Sequence, residues 1–510
     1  MPLDPPAKST FPPLRRPPRY SSANRLRTSV TPPPASLPSR ALSTAVPRPQ
    51  LPLPPGTPPS ATLPAAVQLT IVQKIEFAAL ALFLVISYSR FAEIFAISTG
   101  ANVPLAQFSI GLASLAMLLT GFSGLRRLDS IIGRLMAVYT FWLVLTIPVS
   151  VWRGGSFEVF RQYWFPAVLG FVFLNTMVLS FPYLRRVIFA LVFSAAFILL
   201  ASLRLGGEID GRFGLVAGTL QNANDLAMHL LLVLPFCFFL TKDPASSKLS
   251  RFFGWACALA ILLVSLRTAS RTGLLTILLY AGVIFITASI VNKFKMILAV
   301  VFFGVLFAAT LPRQTLVRYS TMFTDSGLAD SADTASDDVV ASAEGSKILR
   351  QRLFRYSLQM ALHHPLFGVG MGNFAPVAEG ISSKEQESTA WKQPHSVYNQ
   401  IAAEVGFPGL LLYVAMLVAS FRACFRVRKA TRGVHSQQSR YVLANCLLLT
   451  LLAFALTNFF ATWAYGIYLP IFTALAVLLE RHVQPESRGN AVATSASPFQ
   501  VQSAWLYGRG

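Results

Sequence analysis

The sequence has little charge for its length. Only 13% of its 510 residues are Asp, Glu, Lys or Arg, and 54% are hydrophobic, whereas soluble globular domains carry about 25% charged residues. It also contains many apolar runs close to the roughly 20 residues that an α-helix needs to cross a bilayer. These two properties exclude an ordinary soluble domain and predict an all-α polytopic membrane protein.

Cysteine is scarce, and all four cysteines fall inside apolar runs: Cys237, Cys257, Cys424 and Cys446. Their spacing fits neither a zinc site nor a disulfide framework. We therefore expect four small buried hydrophobic side chains, no metal site and no cofactor.

Acidic residues are also few, with 21 Asp and Glu against 43 Lys and Arg. A net charge of +22 is a feature of nucleic-acid-binding proteins, but here the basic residues follow a membrane topology, so no nucleic acid partner is expected. Residues 1–66 contain 19 of the 33 prolines, eight basic residues and one acid, Asp4. This composition predicts a disordered tail without the apolar core of a secretory signal. An organellar transit peptide is an alternative, although a basic cytoplasmic tail is simpler.

Hydropathy predicts about twelve transmembrane helices, near residues 76–97, 104–121, 132–151, 162–181, 187–204, 226–241, 252–267, 273–291, 296–312, 405–424, 441–461 and 465–480. With the N-terminus inside, 28 of the 43 Lys and Arg residues lie on the inner side and 15 on the outer side. The positive-inside rule then predicts that both termini are cytoplasmic. The domains are a tail (1–66), helices one to nine (67–312), a large outer loop (313–404), helices ten to twelve (405–480) and a second tail (481–510).

The outer loop begins with a low-complexity acidic insert at residues 325–344, which we expect to be mobile; a cation site there is an alternative. An ordered pattern resumes at Lys347, where residues 347–365 predict a helix that ends at Pro365. Arg350 lies between two apolar strips of this helix, which are Leu349, Leu353, Tyr356 and Met360 on one side and Phe354, Leu358 and Leu362 on the other.

A docked arginine requires an anion or carbonyl groups around it. For Arg350 we consider an anionic ligand and a structural salt bridge to Glu404, whereas Arg352 and Arg355 point towards water or lipid phosphates. The following glycine-rich segment, residues 368–374, predicts a turn that folds the loop back onto the membrane.

Three further arginines lie near the predicted outer ends of helices: Arg212, Arg267 and Arg271. Ionisable residues at membrane depth are costly and are functional candidates, although a long side chain can also reach the interface. We expect a functional role for Arg271 and an interfacial role for Arg267.

His395 lies shortly before the tenth predicted span, and its imidazole can exchange a proton near neutral pH. A lone histidine is often structural. Here, however, several arginines occupy the same predicted side of the membrane, without an HExxH metal motif or a carboxylate pair beside them. Guanidinium groups suit a phosphate-bearing substrate, and a nearby histidine suits deprotonation of a hydroxyl.

Four segments in order resemble the O-antigen ligase and polymerase superfamily of bacterial membrane glycosyltransferases. They are GRFGLVAGTLQNAND (211–225), SRTG (270–273), RQRLFRYSLQMALHHPLFGVGMGNF (350–374) and PHSVYNQIAAEVGFPG (394–409). The resemblance covers roughly residues 76–480, including the long loop between the ninth and tenth helices.

The resemblance implies a membrane-embedded glycosyltransferase fold in the bacterial inner membrane, with an active site that faces the periplasm. The family's donor is a glycan on undecaprenyl pyrophosphate, and the acceptor is lipid A–core for ligases or another lipid-linked glycan for polymerases. The reaction inverts the anomeric centre and needs neither a nucleotide sugar nor a metal.

By residue, the resemblance implies that His395 and Arg350 are catalytic, and that Arg212, Arg271 and Arg352 bind the pyrophosphate. Ser396 stands where the family often has asparagine, and Phe354 where it usually has tryptophan. The choice between ligase and polymerase stays open. A transporter of an anionic solute or glycolipid and a non-catalytic assembly protein are the competing interpretations.

Overall fold

The structure, a computed structural model, describes residues 70–121, 124–209, 212–310, 334–385, 389 and 392–483. Residues 1–66 of the proline-rich tail and residues 484–510 lie outside this part of the chain, so the expectations for both tails remain predictions.

The described part is almost entirely helical. In chain order the helices are α1 (Ile71–Tyr88), α2 (Phe91–Thr99), α3 (Leu105–Leu119), α4 (Ile131–Thr146), α5 (Arg153–Val159), a π-helical turn (Phe160–Trp164), α6 (Phe165–Met177), α7 (Phe181–Leu205), α8 (Ala223–Leu231), α9 (Leu234–Lys242), α10 (Lys248–Arg267), α11 (Arg271–Thr287), α12 (Ile290–Thr310), α13 (Thr334–His363), α14 (Phe374–Lys384), α15 (Val397–Thr431), α16 (Gln438–Thr457) and α17 (Tyr468–Arg481).

A helix lies over each of the twelve predicted spans. Six helical segments are long and apolar enough to cross a membrane by length and composition: Ile71–Tyr88, Phe181–Leu205, Ala223–Lys242, Lys248–Arg267, Val397–Thr431 and His435–Thr457. The structure thus agrees with an all-α membrane protein, and the count of twelve stays a prediction.

The core is centred on α17. Every residue from Tyr468 to Leu479 is buried, and the helix packs against α6, α15 and α16. Buried side chains on all faces of α17 mean that protein surrounds this helix on all sides. Its last residue, Arg481, donates hydrogen bonds to the backbone carbonyl oxygens of Asn175 and Arg127 at 2.8 and 2.7 Å.

The helices alternate between two ends of the bundle. At one end, Asp243 forms an ion pair with Arg185 at 2.6 Å and accepts a hydrogen bond from Ser439 Oγ at 2.6 Å. At the other end, the Val397 N–H donates to the carbonyl oxygen of Asn458 at 2.7 Å. We call this second end, next to His395, the histidine end.

A two-stranded antiparallel hairpin at the histidine end was not part of the all-α prediction. Strand β1 (Gly206–Ile209) pairs with β2 (Arg212–Leu215), with Ile209 opposite Arg212. The Asp210–Gly211 dipeptide between the strands is the sequence signal for such a hairpin.

Helix α15 begins at Val397 rather than near residue 405, and it is broken at Gly406, whose φ is 76°. The break frees backbone carbonyl groups that the glycine-rich segment then uses. Val369 and Gly370 donate their N–H groups to the carbonyl oxygens of Ala403 and Glu404 at 2.9 and 2.8 Å. The glycine-rich turn therefore folds back onto a membrane helix, as the sequence predicted.

Helix α13 begins at Thr334, thirteen residues before the start predicted at Lys347. Residues 334–344 form the first turns of this helix, while residues 325–333 lie outside the described residues, and the expectation of a mobile insert over residues 325–344 stays a prediction. The strip with Leu353, Tyr356 and Met360 is buried, whereas Phe354, Leu358 and Leu362 are exposed. Only one of the two predicted strips thus packs against the protein.

Candidate active site

Three of the predicted site residues come together at the histidine end. Arg350 on α13 and Arg271 at the start of α11 are close enough for their positive charges to interact. Arg350 is also close enough to His395, just before α15, to act on its imidazole. Residues far apart in the sequence therefore form one basic cluster around a single histidine.

The backbone holds His395 in an unusual conformation. Its φ is 50°, in the left-handed region that residues with a side chain rarely adopt. The next residue, Ser396, caps α15 by accepting from the N–H of Asn399, and Val397 is hydrogen-bonded to Asn458. A left-handed non-glycine residue costs about 1–3 kcal/mol and persists only where the surroundings impose it. Here the pinned start of α15 imposes it.

The environment keeps the His395 imidazole neutral. Partial burial, the charge of Arg350 and the charge of Lys392 together lower the pKa of His395 to about 4. At neutral pH the ring is thus unprotonated and able to accept a proton. Among the described residues, no hydrogen bond involves this ring.

Arg350 does not form the salt bridge to Glu404 that was one of the two alternatives. Glu404 is buried, and its Oε1 accepts from the Phe374 N–H at 3.2 Å and from Gln400 Nε2 at 3.4 Å. No ion pair found among the described residues includes Arg350, which is an exposed residue. The pKa of Arg350 is nevertheless lowered, first by burial of the guanidinium and then by the charge of Arg271. A bound anion would offset the cost of burying the guanidinium and would reduce the repulsion between Arg350 and Arg271.

Arg271 and Arg212 are connected through one amide. Asn224 Oδ1 accepts from Arg212 Nη2 at 2.7 Å and from Ser270 Oγ at 2.8 Å. Ser270 caps α11 directly before Arg271, and it follows Ala269, which also has a positive φ of 49°. The hairpin and the α10–α11 turn are thereby fixed to each other, each with one candidate arginine.

The other arginines have different surroundings. Arg355 is exposed, as expected, and it also pairs with Glu385. The Arg267 guanidinium lies 4.7 Å from the centre of the Phe213 ring, a packing role. Arg352 is half-buried on α13, and its assignment to the pyrophosphate stays a prediction.

Sequence analysis missed Arg90, which precedes α2 with a φ of 54° and a buried Nε that has no hydrogen-bond partner. Its charge acts on Asp225 and His229 of α8. The sequence did contain a signal for Arg90, because it is an ionisable residue inside the first predicted span. Such residues are functional candidates by default.

The four cysteines are free and buried, as predicted. Over the described ranges, no three His, Cys, Asp or Glu side chains converge in the way that a metal site would require.

Comparison with protein families agrees with the geometry. Residues 255–414 match the family model described as O-antigen ligase. The matched segment contains Arg271, Arg350 and His395, whereas Arg212 lies outside it. No curated protein matches the sequence. The match over residues 255–414 supports the resemblance to the O-antigen ligase and polymerase superfamily.

Proposed function

We propose that the protein transfers a glycan from an undecaprenyl-pyrophosphate donor to a sugar hydroxyl of lipid A–core or of another glycan. One observation carries this proposal: a neutral histidine, His395, lies within electrostatic range of Arg350, which in turn lies within range of Arg271. A proton acceptor beside a basic cluster suits a reaction in which a hydroxyl loses a proton and a phosphate-bearing group departs with its negative charge.

In the proposed step, a ring nitrogen of His395 removes the proton from the acceptor hydroxyl. The hydroxyl oxygen attacks the anomeric carbon of the donor sugar from the face opposite the pyrophosphate. A new glycosidic C–O bond forms as the C–O bond to the pyrophosphate breaks, and the bonding electrons leave with the pyrophosphate. The anomeric centre is therefore inverted, and no metal or cofactor takes part in the proposal.

The arginines are proposed to stabilise the leaving group. Arg350 and Arg271 bring like charges together before the donor binds, and an anion between them removes that repulsion. Arg212 joins them through Asn224, and Arg352 is proposed to contact the same pyrophosphate. Neutralisation of Arg350 by the donor would also raise the basicity of His395 at the moment when a base is needed.

The apolar helices and the family together indicate a multi-pass membrane protein. We propose that it lies in the bacterial inner membrane with the histidine end towards the periplasm. This orientation is supported by the distribution of basic residues, 28 of 43 on the side of the termini. Undecaprenyl-linked glycan, the acceptor glycolipid and membrane lipids are the proposed partners.

The test uses purified protein in nanodiscs with the lipid-linked glycan extracted from the host. We expect His395→Ala to bind this donor normally and to transfer it about 10²–10⁴-fold more slowly. His435→Ala is the matched control, because His435 is exposed in the α15–α16 connection, away from the histidine end. Transfer by a well-folded His395→Ala protein at the wild-type rate would overturn the proposal.

A further inference from the structure

A cavity lies at the histidine end, formed by α1, α2, α3, the π-helical turn, α6 and the segment before α17. It has a volume of about 500 Å³. Its polar lining consists of Ser87, Arg90, Glu93, Gln107, Arg161, Gln162 and Tyr163, and apolar residues of α1, α2, α3, α6 and the segment before α17 complete the wall. None of these residues belongs to the cluster around His395.

Two backbone irregularities line this cavity. Arg90 adopts a left-handed conformation with a φ of 54°, and three of the five residues of the π-helical turn Phe160–Trp164 face the space. Both features are unfavourable in regular structure, and both occur preferentially at functional sites. Their presence around one cavity favours a binding role over simple packing.

The charges of the lining nearly balance. Arg161 pairs with Glu158 at 2.7 Å, and Glu93 accepts a hydrogen bond from Thr219 Oγ1 at 2.8 Å. Arg90 has no ion pair among the described residues, and its buried Nε has no hydrogen-bond partner. A lining with so little excess charge is a poor phosphate site, and its polar groups make it a poor site for a lipid tail.

Amides, a phenol and paired charges offer both donors and acceptors next to apolar walls. Sugars present the same mixture, because their hydroxyl groups donate and accept while their ring C–H groups are apolar. We propose that this cavity binds sugar residues of one of the two glycan substrates, a proposal that rests on the proposed glycosyl transfer. The Arg90 guanidinium, which lines the cavity, then donates to a sugar oxygen or to an acidic group on the glycan.

Arg90 also connects the cavity with the reaction site. Its charge acts on Asp225 in the first turn of α8, and the charge of Arg212 acts on the same carboxyl group. Arg212 in turn is fixed to Asn224, the neighbour of Asp225. The cavity and Arg212 therefore lie near the same carboxyl group of α8.

The experiment compares binding of two donors, the lipid-linked glycan from the host and sugar-free undecaprenyl pyrophosphate, and also measures the KM of the acceptor. The variants are Gln107→Leu and Arg90→Gly. Glycine tolerates the left-handed backbone at position 90, so this variant removes the guanidinium without adding strain. Arg161→Ala is compared with Arg153→Ala, an exposed arginine of α5 that does not line the cavity.

We expect the cavity variants to weaken the binding of one glycan substrate by about tenfold, as for one lost hydrogen bond to a charged group. Binding of sugar-free undecaprenyl pyrophosphate should not change. Weaker binding of the lipid-linked glycan assigns the cavity to the donor, and a raised KM for the acceptor assigns it to the acceptor. Equal weakening of both donors, or no change in any of the three measurements, would overturn the assignment. His395→Ala separates the two proposals: if it abolishes transfer while cavity variants behave as wild type, only the sugar site is wrong.

Discussion

Gly370 donates its backbone N–H to the carbonyl oxygen of Glu404 over 2.8 Å. This bond joins the glycine-rich turn after α13 to the broken start of α15. Arg350 is on α13 and His395 lies just before α15, so the distance between the two candidate catalytic residues depends on this junction. Changes at the junction should therefore affect transfer through the relative positions of Arg350 and His395.

The first prediction concerns the junction itself. A Cβ on Gly406 would lie 2.0 Å from the carbonyl oxygen of Leu366, and the residue has a positive φ of 76°. Gly406→Ala should destabilise the protein by about 1–3 kcal/mol or more, because the turn is pushed off the helix. Thermal unfolding in detergent measures the loss. Gly282→Ala is the control, since no atom lies within 4 Å of its Cβ position; equal melting temperatures for the two variants would contradict the geometry.

The second prediction concerns the shared acceptor, Asn224. Asn224→Ala removes the oxygen that fixes both Arg212 and Ser270, so donor affinity should fall by about tenfold to a hundredfold. Binding of the lipid-linked glycan provides the measurement. Asn445→Ala is the matched change, because the Asn445 amide Nδ2 donates to the carbonyl oxygen of Tyr441 in its own helix. Normal donor binding by Asn224→Ala would show that Arg212 does not depend on this amide.

The third prediction separates two arginines of α13. Arg350→Lys keeps the charge but loses the planar fork that pairs with phosphate oxygens, so kcat/KM should fall by about tenfold or more. Arg355→Lys should change it by less than about twofold, because Arg355 is exposed and paired with Glu385, and such pairs contribute little. Single-turnover transfer by the two variants is the comparison. The same loss in both would mean that the helix, not the Arg350 site, is sensitive.

The fourth prediction concerns pH. The folded-state pKa of His395, about 4, lies below the ordinary value of 6.5. The unfolded chain therefore binds more protons between these values, and the contribution of this group to stability falls as the pH drops from 6.5 towards 4. At pH 7 the base is already unprotonated, so kcat/KM should not decline until the pH approaches 4.

Arg350→Gln should raise the pKa of His395, because it removes the larger of the two positive-charge effects that lower it. Titration of the histidine ring signals by NMR in nanodiscs measures both values, with His435 as an internal reference. A His395 pKa that is the same with and without Arg350 would refute the electrostatic contact between them.

The sequence alone determined the class of the protein and most of its helices. Scarce charge and apolar runs of membrane length have few structural solutions, because a backbone in lipid must satisfy its own hydrogen bonds. Sequence reasoning also made His395, Arg350, Arg271 and Arg212 candidates, because an arginine at membrane depth or on a docked helix face is costly and a histidine can exchange a proton near neutral pH.

Tertiary structure alone decided which of these residues meet. Periodicity showed that Arg350 lies between two apolar strips, but only packing showed that one strip is buried and the other exposed. It also showed that Glu404 accepts a hydrogen bond from the Phe374 N–H at the start of α14 and does not pair with Arg350. The break at Gly406, the left-handed backbone of His395 and the position of Arg90 depend on contacts between segments distant in sequence. Local propensity carries no information about such contacts, because it reflects only the conformational preferences of neighbouring residues.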